Sequence, residues 1–574
     1  MKNVSFCGKK FNSMLFSATI VMIVVVVLLL SDLAIAGNII GEKAVAAINL
    51  LRTPYMLVLG LSSIISQGSS LLYSLKMGEF DKKAADKIFG QGLLGAGILC
   101  GIIFILYSLG LDPYFSYLNT DPETEQLAKE YARFYIPTLA IYPMYMYIAA
   151  MVYTDGDEIL SLIANLFLIF GNIGLSIAMG LKIGMAGVAL GSFVGVFACT
   201  AVTCLHFIKK TNSLKPKLFV SLRSLWDMAK YSFVDAGIYI YFAIQSFILT
   251  KLIITQFGVK HLEVYSVIVG LWQLTLIFDG VGQAFCPLVN VYRGEGNIPG
   301  IQKTMRYSFR TSLIEGLAMT LVLFAFADFV PMIFDIQNAE LATETIHAVR
   351  ICSVSLTATS ILFLLTSYYL LTEKITHAVL ICFFKDLFMP TLFAVPLALL
   401  LGLDFLWVGL ALAPAFALGI SIFVTIKRFG KKGFPLYVDN TADKIQSFNF
   451  IIEDESVVNA RDTIEKILTE HNASKRTIMR SMLLIEELFM LIKEKNPDKK
   501  VTAELTVFLS ENSVKYVIRD DGIIFDITEE DDPLASIRGF IVASMMHKQT
   551  VRKNLTTTSF NRNMFVLPLQ MDAN

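Results

Sequence analysis

The residues of this 574-residue chain that could do chemistry are acids inside long apolar stretches. Asp32 lies well along the first apolar run, and Asp279 lies in the middle of another, between apolar residues and beside Gly280 and Gly282. A charged side chain at the centre of a bilayer costs about 2.5–3.5 kcal/mol, so it is seldom kept without a role. A carboxylate in a partly dry cavity can bind and release a proton near neutral pH. Both positions are therefore candidates for binding a cation such as H+ or Na+.

Polar amides form a second group of candidates in the apolar runs. Gln67 and Gln283 occupy equivalent positions of two runs. They could hydrogen-bond across a central cavity, or they could only join packed helices. Gln245 and Asp235 lie in one further run, with Asp235 close to its start. We count these four side chains among the candidates for lining a cavity.

Two other features of the apolar runs have more than one interpretation. Asp386 directly follows Lys385, which favours a structural ion pair over a binding role. Several tyrosines could stack on an aromatic or cationic ligand, although packing and interfacial roles are more common for this residue type. These tyrosines are Tyr135, Tyr142, Tyr145, Tyr147, Tyr239 and Tyr241.

The elements that must position these residues are membrane helices. With 55% hydrophobic and 17% charged residues, the chain is too apolar to be soluble throughout. Runs long enough to cross a bilayer occur at twelve places. They lie near 13–36, 51–74, 90–109, 131–153, 158–179, 186–208, 229–255, 264–290, 307–333, 347–371, 376–401 and 407–427.

The loops between these runs differ in charge. Loops on one side contain clusters of lysine and arginine, whereas each loop on the other side has at most one of them. By the positive-inside rule, both termini lie in the cytoplasm. The formal net charge of zero argues against a nucleic-acid partner. The seven cysteines show no metal-ligand spacing, and we expect most of them to be small buried apolar residues.

The membrane part contains one six-helix unit twice. At a separation of 216 residues, Gly78-Glu79 aligns with Gly294-Glu295 and Gln67 aligns with Gln283. The alignment includes polar loop positions, which a chance likeness between apolar helices does not explain. Two homologous bundles around a central cavity are the usual construction of a secondary transporter. Because each unit starts from the cytoplasm, we expect their symmetry axis to lie along the membrane normal.

The segment Asp32–Gly41, followed by Ala44–Ala47, resembles the first-helix signature of the multidrug and toxic compound extrusion (MATE) transporters. The likeness extends through Leu59–Gln67, Lys76–Phe80 and Phe89–Gln91, and it covers the full twelve-helix part. The resemblance implies two six-helix bundles that form a V around a central cavity. It also implies outward transport of organic molecules in exchange for a cation, with Asp32 as the acid tied to cation coupling.

One departure from the family leaves the coupling ion open. Many members carry a glutamate in the seventh helix, whereas Tyr241–Gln245 contains no acid. The coupling role would then fall to Asp32 and Asp279. Two alternatives stay open: a flippase for a lipid-linked glycan, as in sister families, and a membrane sensor that signals through its C-terminal part. The repeat favours transport over sensing, and the excess of acids over bases in the spans favours cationic substrates.

The C-terminal part has a different character from about residue 429 onward. Its pattern is that of a soluble α/β domain, long enough for one compact unit. We predict strands at 447–453, 501–510, 513–520, 550–556 and 562–568, and helices at 455–471, 474–495 and 535–547.

This part resembles the GHKL ATP-binding fold in its anti-sigma-factor kinase form. The resemblance implies that Asp520 and Gly522 contact adenine, that Glu487 holds the catalytic acid position, and that Gly539 belongs to a reduced glycine-rich lid. Leu491 stands where the family has a magnesium-binding asparagine, and leucine cannot bind a hard cation. We therefore expect no phosphoryl transfer, while ATP binding stays open.

We expect an all-α polytopic membrane protein of twelve transmembrane helices in two six-helix repeats, with a C-terminal cytoplasmic α/β sandwich domain. The expected parts are the bundles 1–220 and 221–428, a linker 429–445 and a GHKL-like domain 446–574. The expected function is not enzymatic: an antiporter of the plasma (inner) membrane exports organic compounds in exchange for H+ or Na+, and the C-terminal domain regulates it. Expected partners are membrane lipids, small organic substrates and a cytoplasmic protein that binds the C-terminal domain.

Overall fold

The computed structural model of the chain describes residues 5–41, 44, 47–48, 51–118, 122–217, 220–334, 336, 338–436, 445–523, 551–557 and 560–570. Some side chains within helices also lie outside this description, those of Asp235 and Tyr239 among them. The predicted lid residue Gly539 and the helix predicted at 535–547 lie outside the described residues as well.

Six long helices form the N-terminal half of the membrane part, which we call the N-lobe. The first begins where the Ser5 side chain accepts a hydrogen bond of 3.3 Å from the Gly8 backbone N–H, an ordinary N-cap. Each helix overlaps one of the first six predicted spans. They are α1 (Phe6–Ile39), α2 (Arg52–Gly78), α3 (Lys82–Leu118), α4 (Pro122–Thr154), α5 (Glu158–Ile183) and α6 (Met185–Cys204).

The C-lobe has more interruptions in its helices than the N-lobe. A 3-10 segment, Gln273–Phe278, precedes Asp279, and a π turn, Phe384–Phe388, interrupts the eleventh predicted span. The helices are α7 (Leu222–Gln256), α8 (Leu262–Trp272), α9 (Asp279–Glu295), α10 (Ile298–Ala325), α11 (Val330–Ile333), α12 (Ala339–Ser353), α13 (Leu356–Leu371), α14 (Ile375–Phe383), α15 (Met389–Leu401) and α16 (Asp404–Phe429).

The predicted membrane architecture is confirmed by the lengths and composition of these helices. Among the described residues, nine helical segments are long and apolar enough to cross a membrane, or ten if α12 and α13, bent by 44°, form one span. The remaining two predicted spans fall in α1 and α7, which have 34 and 35 residues. Both exceed the roughly 20 residues that a bilayer requires.

The two lobes share an apolar core at one end of the membrane part. There, Phe11 of α1 and Leu71 of α2 belong to the same cluster as Val281 and Phe285 of α9. At the opposite end, the described apolar clusters each belong to a single lobe, one to α1, α3, α4 and α6 and the other to α7, α8, α12, α15 and α16. We call the first the closed end and the second the far end.

Repeat-related glycines meet at the closed end. A Cβ atom on Gly78, the last residue of α2, would lie 2.7 Å from the Val291 carbonyl oxygen and 3.0 Å from the Gly294 Cα. Asn290 of α9 donates a hydrogen bond of 3.1 Å to the Leu71 carbonyl of α2. Glycine at these positions lets two helix backbones touch, as small residues commonly do in membrane interfaces.

The C-terminal domain is an antiparallel sheet covered on one side by two helices. The strands are β1 (Ile445–Ile451), β2 (Thr502–Leu509), β3 (Ser513–Asp520), β4 (Val551–Thr557) and β5 (Phe560–Pro568), in the order β1-β2-β3-β5-β4. The helices are α17 (Asp454–Glu470) and α18 (Lys475–Lys495). The strands and these two helices were all expected from the sequence pattern.

The two faces of the sheet have different partners. Leu505, Tyr516 and Phe565 face α17 and α18 and form the apolar core of the domain. Alternate residues of a strand point to opposite faces, so Glu504 and Arg519 lie on the second face. That face packs against the closed end of the membrane part, where Glu504 and Arg519 are buried.

The first residues of the predicted linker belong to the C-lobe. The Tyr369 hydroxyl donates a hydrogen bond of 3.3 Å to the Gly433 carbonyl, and the Lys374 ammonium lies 4.3 Å from the centre of the Phe429 ring. Leu436 packs against the shared apolar core of the two lobes. A variant that removes the C-terminal domain should therefore keep residues up to Leu436.

Candidate functional site

Asp32 lies in a polar group inside the N-lobe. Its Oδ2 atom accepts hydrogen bonds of 2.7 Å from the Tyr131 hydroxyl of α4 and of 2.7 Å from the Ser192 hydroxyl of α6. Asn172 of α5 donates a hydrogen bond of 2.7 Å to Ser192. The Oδ1 atom of Asp32 is buried and has no hydrogen-bond partner among the described residues. One carboxylate oxygen is thus held in place, and the other is available to a proton or a cation.

Close helix packing brings these partners together. A Cβ atom on Gly191 of α6 would lie 2.4 Å from the Ser176 backbone nitrogen of α5, so glycine is required for this approach. This close packing of α5 and α6 places Ser192 of α6 beside Asn172 of α5. Helix α1 continues to Ile39, beyond the acid, so that Asp32 lies within the helix and not at its end.

A row of tyrosines leads away from Asp32. The Tyr131 and Tyr135 ring centroids are 4.8 Å apart, and Tyr55 lies 6.3 Å from Tyr135 and 5.8 Å from Tyr142. Tyr145 continues the row at 5.4 Å from Tyr142. Tyr147, in contrast, donates its hydroxyl to the Phe89 carbonyl at 2.6 Å and packs in the lobe interior. Of the predicted tyrosines on α4, Tyr135, Tyr142 and Tyr145 belong to this row and Tyr147 is a packing residue, while Tyr241 of α7 packs against Phe383 in the C-lobe.

The C-lobe has its own acidic group at the start of α9. The Gln283 amide donates a hydrogen bond of 3.1 Å to Asp279 Oδ2, and it lies 3.8 Å from the Met22 sulfur of α1. Two predicted residues are thus paired with each other, on one helix. Gln283 therefore contacts both its own helix and α1 of the N-lobe, and a role in lining a cavity stays a prediction.

The π turn of the C-lobe places an ion pair inside the lobe. Lys385 Nζ lies 2.8 Å from Asp386 Oδ1 and 4.1 Å from the centre of the Phe363 ring. Lys385 is also close enough to Asp279 for their charges to interact. The expected structural pair of Lys385 and Asp386 is confirmed. The C-lobe acids are therefore already close to a cation that the protein supplies.

The remaining predicted cavity residues do not join either group. Gln67 is half-buried on α2, and Gln245 is buried on α7. The side chain of Asp235 lies outside the described residues. Sequence reasoning made no prediction for Tyr131 and Ser192, which bond to Asp32, or for Asn172, which bonds to Ser192. Asn172 within an apolar span was the one signal that could have indicated a polar partner.

The predicted adenine loop lies at the end of β3. Asp520 Oδ1 accepts hydrogen bonds of 3.0 Å from the Gly522 backbone and of 2.8 Å from Asn561. Burial of this side chain raises the pKa of Asp520 to about 7. Leu491, at the position of the family's magnesium ligand, is buried in the apolar core. Glu487 lies half-buried on the same helix, and ATP binding stays a prediction.

Comparisons with known proteins concern the membrane part. Residues 18–191 match the MatE family model. A MOP superfamily transporter from Pyrococcus furiosus Vc1 (DSM3638), described as having a binding pocket of reverse polarity, is 20% identical, with a TM-score of 0.68 over 74% of this chain and 97% of that chain. The same figures hold for a multidrug resistance MATE family transporter of the MOP superfamily in an outward-facing conformation.

A structure of MATE in complex with MaL6 is also 20% identical, with a TM-score of 0.65 over 74% of this chain and 97% of that chain. No curated protein matches the sequence. At this level of identity, the solved structures establish the fold, and the match to the family model lies within the first lobe. Residues 18–191 of the chain therefore match the MatE family model, and its membrane part has the fold of the MATE transporters.

Proposed function

We propose that this protein is a secondary active antiporter that exports organic compounds, cationic or amphipathic, in exchange for H+ or Na+. The observation that carries the proposal is the Asp32 group, a carboxylate inside the N-lobe with one buried oxygen left unpaired. The fold places this group in a protein whose two lobes join at the closed end. Such an arrangement suits alternating access, in which the lobes rock around a central cavity.

The hydrogen-bond pattern of Asp32 supports a proton as the coupling ion. The hydroxyl groups of Tyr131 and Ser192 both donate to Oδ2, so they stabilise the ionised carboxylate. A proton on Oδ1 would neutralise the group without displacing either hydroxyl. A sodium ion prefers several oxygen ligands, and the same two hydroxyls would have to turn toward it.

The tyrosine row supports an aromatic or cationic substrate. Tyr135 provides a ring face beside Tyr131, and Tyr142 provides one further along the row. Such faces attract cations and flat organic molecules. A substrate that binds beside an ionised Asp32 would favour its deprotonated form. Proton entry from outside would then favour release of the substrate, which is the exchange that an antiporter requires.

The proposal is tested in liposomes that contain the purified full-length protein. A pH gradient and a sodium gradient are imposed separately, and uptake of a fluorescent organic cation is recorded. We expect uptake driven by one of the two gradients, with the pH gradient favoured. We expect Asp32→Asn to lose gradient-driven uptake, because an amide cannot exchange a proton or hold a cation by charge.

Asp112→Asn is the matched control. Asp112 is also a helix acid, but its side chain is 79% exposed and pairs with Lys129 at 2.8 Å. We expect this variant to transport at the wild-type rate. Uptake that persists in Asp32→Asn would remove Asp32 from the coupling step. If neither gradient drives uptake in the wild type, the flippase for a lipid-linked glycan becomes the better account.

A further inference from the structure

The second face of the C-terminal sheet carries charges that are buried against the membrane part. Glu504 on β2, Arg519 on β3 and Arg562 on β5 are each at most 2% exposed. Arg519 and Arg562 occupy directly opposite positions of neighbouring antiparallel strands. Like charges in such a pair repel each other. This face therefore requires negative partners close to both guanidinium groups.

The membrane part supplies one of these partners. Glu295, the last residue of α9, is 5% exposed and forms ion pairs with Arg519 and, at 3.3 Å, with Arg562. Glu504 provides the other partner, at 2.9 Å from Arg519. Without Glu295, the sheet face would keep two buried arginines and one glutamate. Glu295 thus supplies the second carboxylate for two arginines that docking buries, and a buried charge left without its partner is strongly unfavourable.

Arg562 joins the two lobes. Besides Glu295 of the C-lobe, it donates a hydrogen bond to the Met77 carbonyl at the end of α2 in the N-lobe. Its guanidinium lies 4.2 Å from the centre of the Phe80 ring of the following turn. One side chain of the C-terminal domain therefore contacts both loops that the sequence repeat relates, those of Gly78-Glu79 and Gly294-Glu295.

Other contacts surround this centre. The Tyr292 hydroxyl donates a hydrogen bond of 2.9 Å to Glu504, and Lys515 Nζ donates one of 2.9 Å to the Glu295 carbonyl. The Asn297 side chain lies 3.4 Å from the Thr506 hydroxyl. On the N-lobe side, the Phe6 backbone N–H donates a hydrogen bond of 2.9 Å to the Asn449 side chain. The docked domain thus holds the ends of helices from both lobes at the point where Gly78 and Gly294 touch.

We propose that the C-terminal domain is a clamp that holds the closed end of the transporter shut, with Glu295, Arg519 and Arg562 as its centre. The proposal rests on the proposed alternating-access function, because it states what controls opening of one side. Separating the lobes at this end would pull Met77 and Glu295 apart and break the contacts of Arg562. Opening of the closed end therefore requires the clamp to release, and a signal that undocks the domain would speed transport.

The repeat supplies a matched control for the test. Glu79 is the N-lobe counterpart of Glu295, at the same place in the repeated unit. Its side chain is 39% exposed and pairs with Lys76 at 2.6 Å. Glu295→Gln and Glu79→Gln are thus the same chemical change at repeat-related positions, one inside the clamp and one outside it.

The experiment measures distances between the lobes in the full-length protein, with the native cysteines replaced. Spin labels on Lys83→Cys and Ile298→Cys report the closed end, and labels on Lys182→Cys and Glu340→Cys report the far end; the four positions are exposed. We expect one short distance at the closed end in the wild type and in Glu79→Gln. We expect Glu295→Gln to add a longer distance there, together with a shorter one at the far end.

A double variant combines Glu295→Gln with Arg562→Gln. It removes one negative and one positive charge, so the remaining charges of Glu504 and Arg519 balance, and it removes the link between the lobes. Hydrogen exchange in β2 and β3 shows for each variant whether the sheet is folded. We expect the double variant to keep a folded sheet and still open the closed end. The clamp is overturned if Glu295→Gln and the double variant, with folded sheets, keep the wild-type distances. Because the readout requires no transport, failure of the antiport proposal would be seen separately, in liposomes.

Discussion

The carboxylate of Asp32 is held by hydroxyl groups from two other helices, and this arrangement makes a prediction about each donor. Tyr131→Phe removes one hydrogen bond to Oδ2 and keeps the ring. A hydrogen bond of this kind contributes about 0.5–1.5 kcal/mol, which corresponds to a factor of roughly 2–13. We expect gradient-driven uptake to fall by about that factor. The measurement is initial uptake in liposomes.

Tyr135→Phe is the control for this substitution. Its ring lies beside that of Tyr131, with the centroids 4.8 Å apart, and the Asp32 hydrogen bonds come from Tyr131 and Ser192. A loss of uptake confined to Tyr131→Phe supports a role for the hydroxyl at the carboxylate. Equal losses in both variants would instead assign the effect to packing of the tyrosine row.

Asp520 makes a prediction about pH and stability. Burial raises its pKa from 3.8 to about 7, so the folded domain binds a proton that the unfolded chain releases. The contribution of Asp520 to the free energy of unfolding is therefore largest below pH 4. It falls as the pH rises toward 7, by at most about 1.4 kcal/mol per pH unit. Asp520→Asn resembles the protonated form and should remove this dependence.

The measurement for Asp520 is hydrogen exchange in β3 and β5 of the full-length protein. The variant is compared with the wild type at each pH, so that intrinsic exchange cancels. We expect Asp520→Asn to protect these strands better at pH 8 and about equally at pH 4. The same pH dependence in both proteins would show that Asp520 does not carry the proton.

Sequence reasoning reached the acids but not their surroundings. Asp32 and Asp279 were visible because an acid in an apolar run is unusual. The two hydroxyl partners of Asp32 lie 99 and 160 residues away in the chain. Tyrosine and serine are ordinary residues in membrane helices, so their types gave no signal. Only the packing of α4 and α6 against α1 brings them to the acid.

The helix ends at the closed end make a prediction at the scale of elements. In Gly78→Ala, the new methyl group would lie 2.7 Å from the Val291 carbonyl and 2.9 Å from the Asn290 carbonyl, both rigid backbone atoms of α9. We expect α2 and α9 to move apart and the closed-end distance between labels on Lys83→Cys and Ile298→Cys to lengthen. The far-end distance between labels on Lys182→Cys and Glu340→Cys should shorten in response.

Gly101→Ala is the matched control for this glycine. It lies in helix α3, and a Cβ atom there would meet no atom within 4 Å. We expect wild-type distances in this variant. A wild-type distance in Gly78→Ala would show that the contact of the two helix ends does not hold the closed end.

The elements themselves followed the sequence closely. Each of the twelve apolar runs overlaps a helix, because apolar length alone predicts a span. The interruptions were not predicted: neither the 3-10 segment before Asp279 nor the π turn at Lys385 was expected from the sequence pattern. In the C-terminal domain, alternation predicted the strands, but it could not show that the polar face is buried against the membrane part.

At the scale of the whole molecule, the two lobes and the C-terminal domain form one arrangement with one closed end. The repeat explains why corresponding loops, Gly78-Glu79 and Gly294-Glu295, meet there. The domain breaks that symmetry, since Glu295 is buried under the sheet whereas Glu79 is exposed. Sequence comparison of the halves showed their likeness, and only the structure shows that one of two equivalent acids has become a contact of the C-terminal domain.

The central claim is that substrate and cation compete through Asp32, and the most direct measurement is cation release on substrate binding. The purified protein in weakly buffered detergent solution is titrated with an organic cation that it transports, while a pH indicator and a sodium electrode record the solution. We predict release of about one H+ or Na+ per bound molecule by the wild type and none by Asp32→Asn. Substrate binding to the wild type without release of either ion, or equal release by Asp32→Asn, would contradict the account.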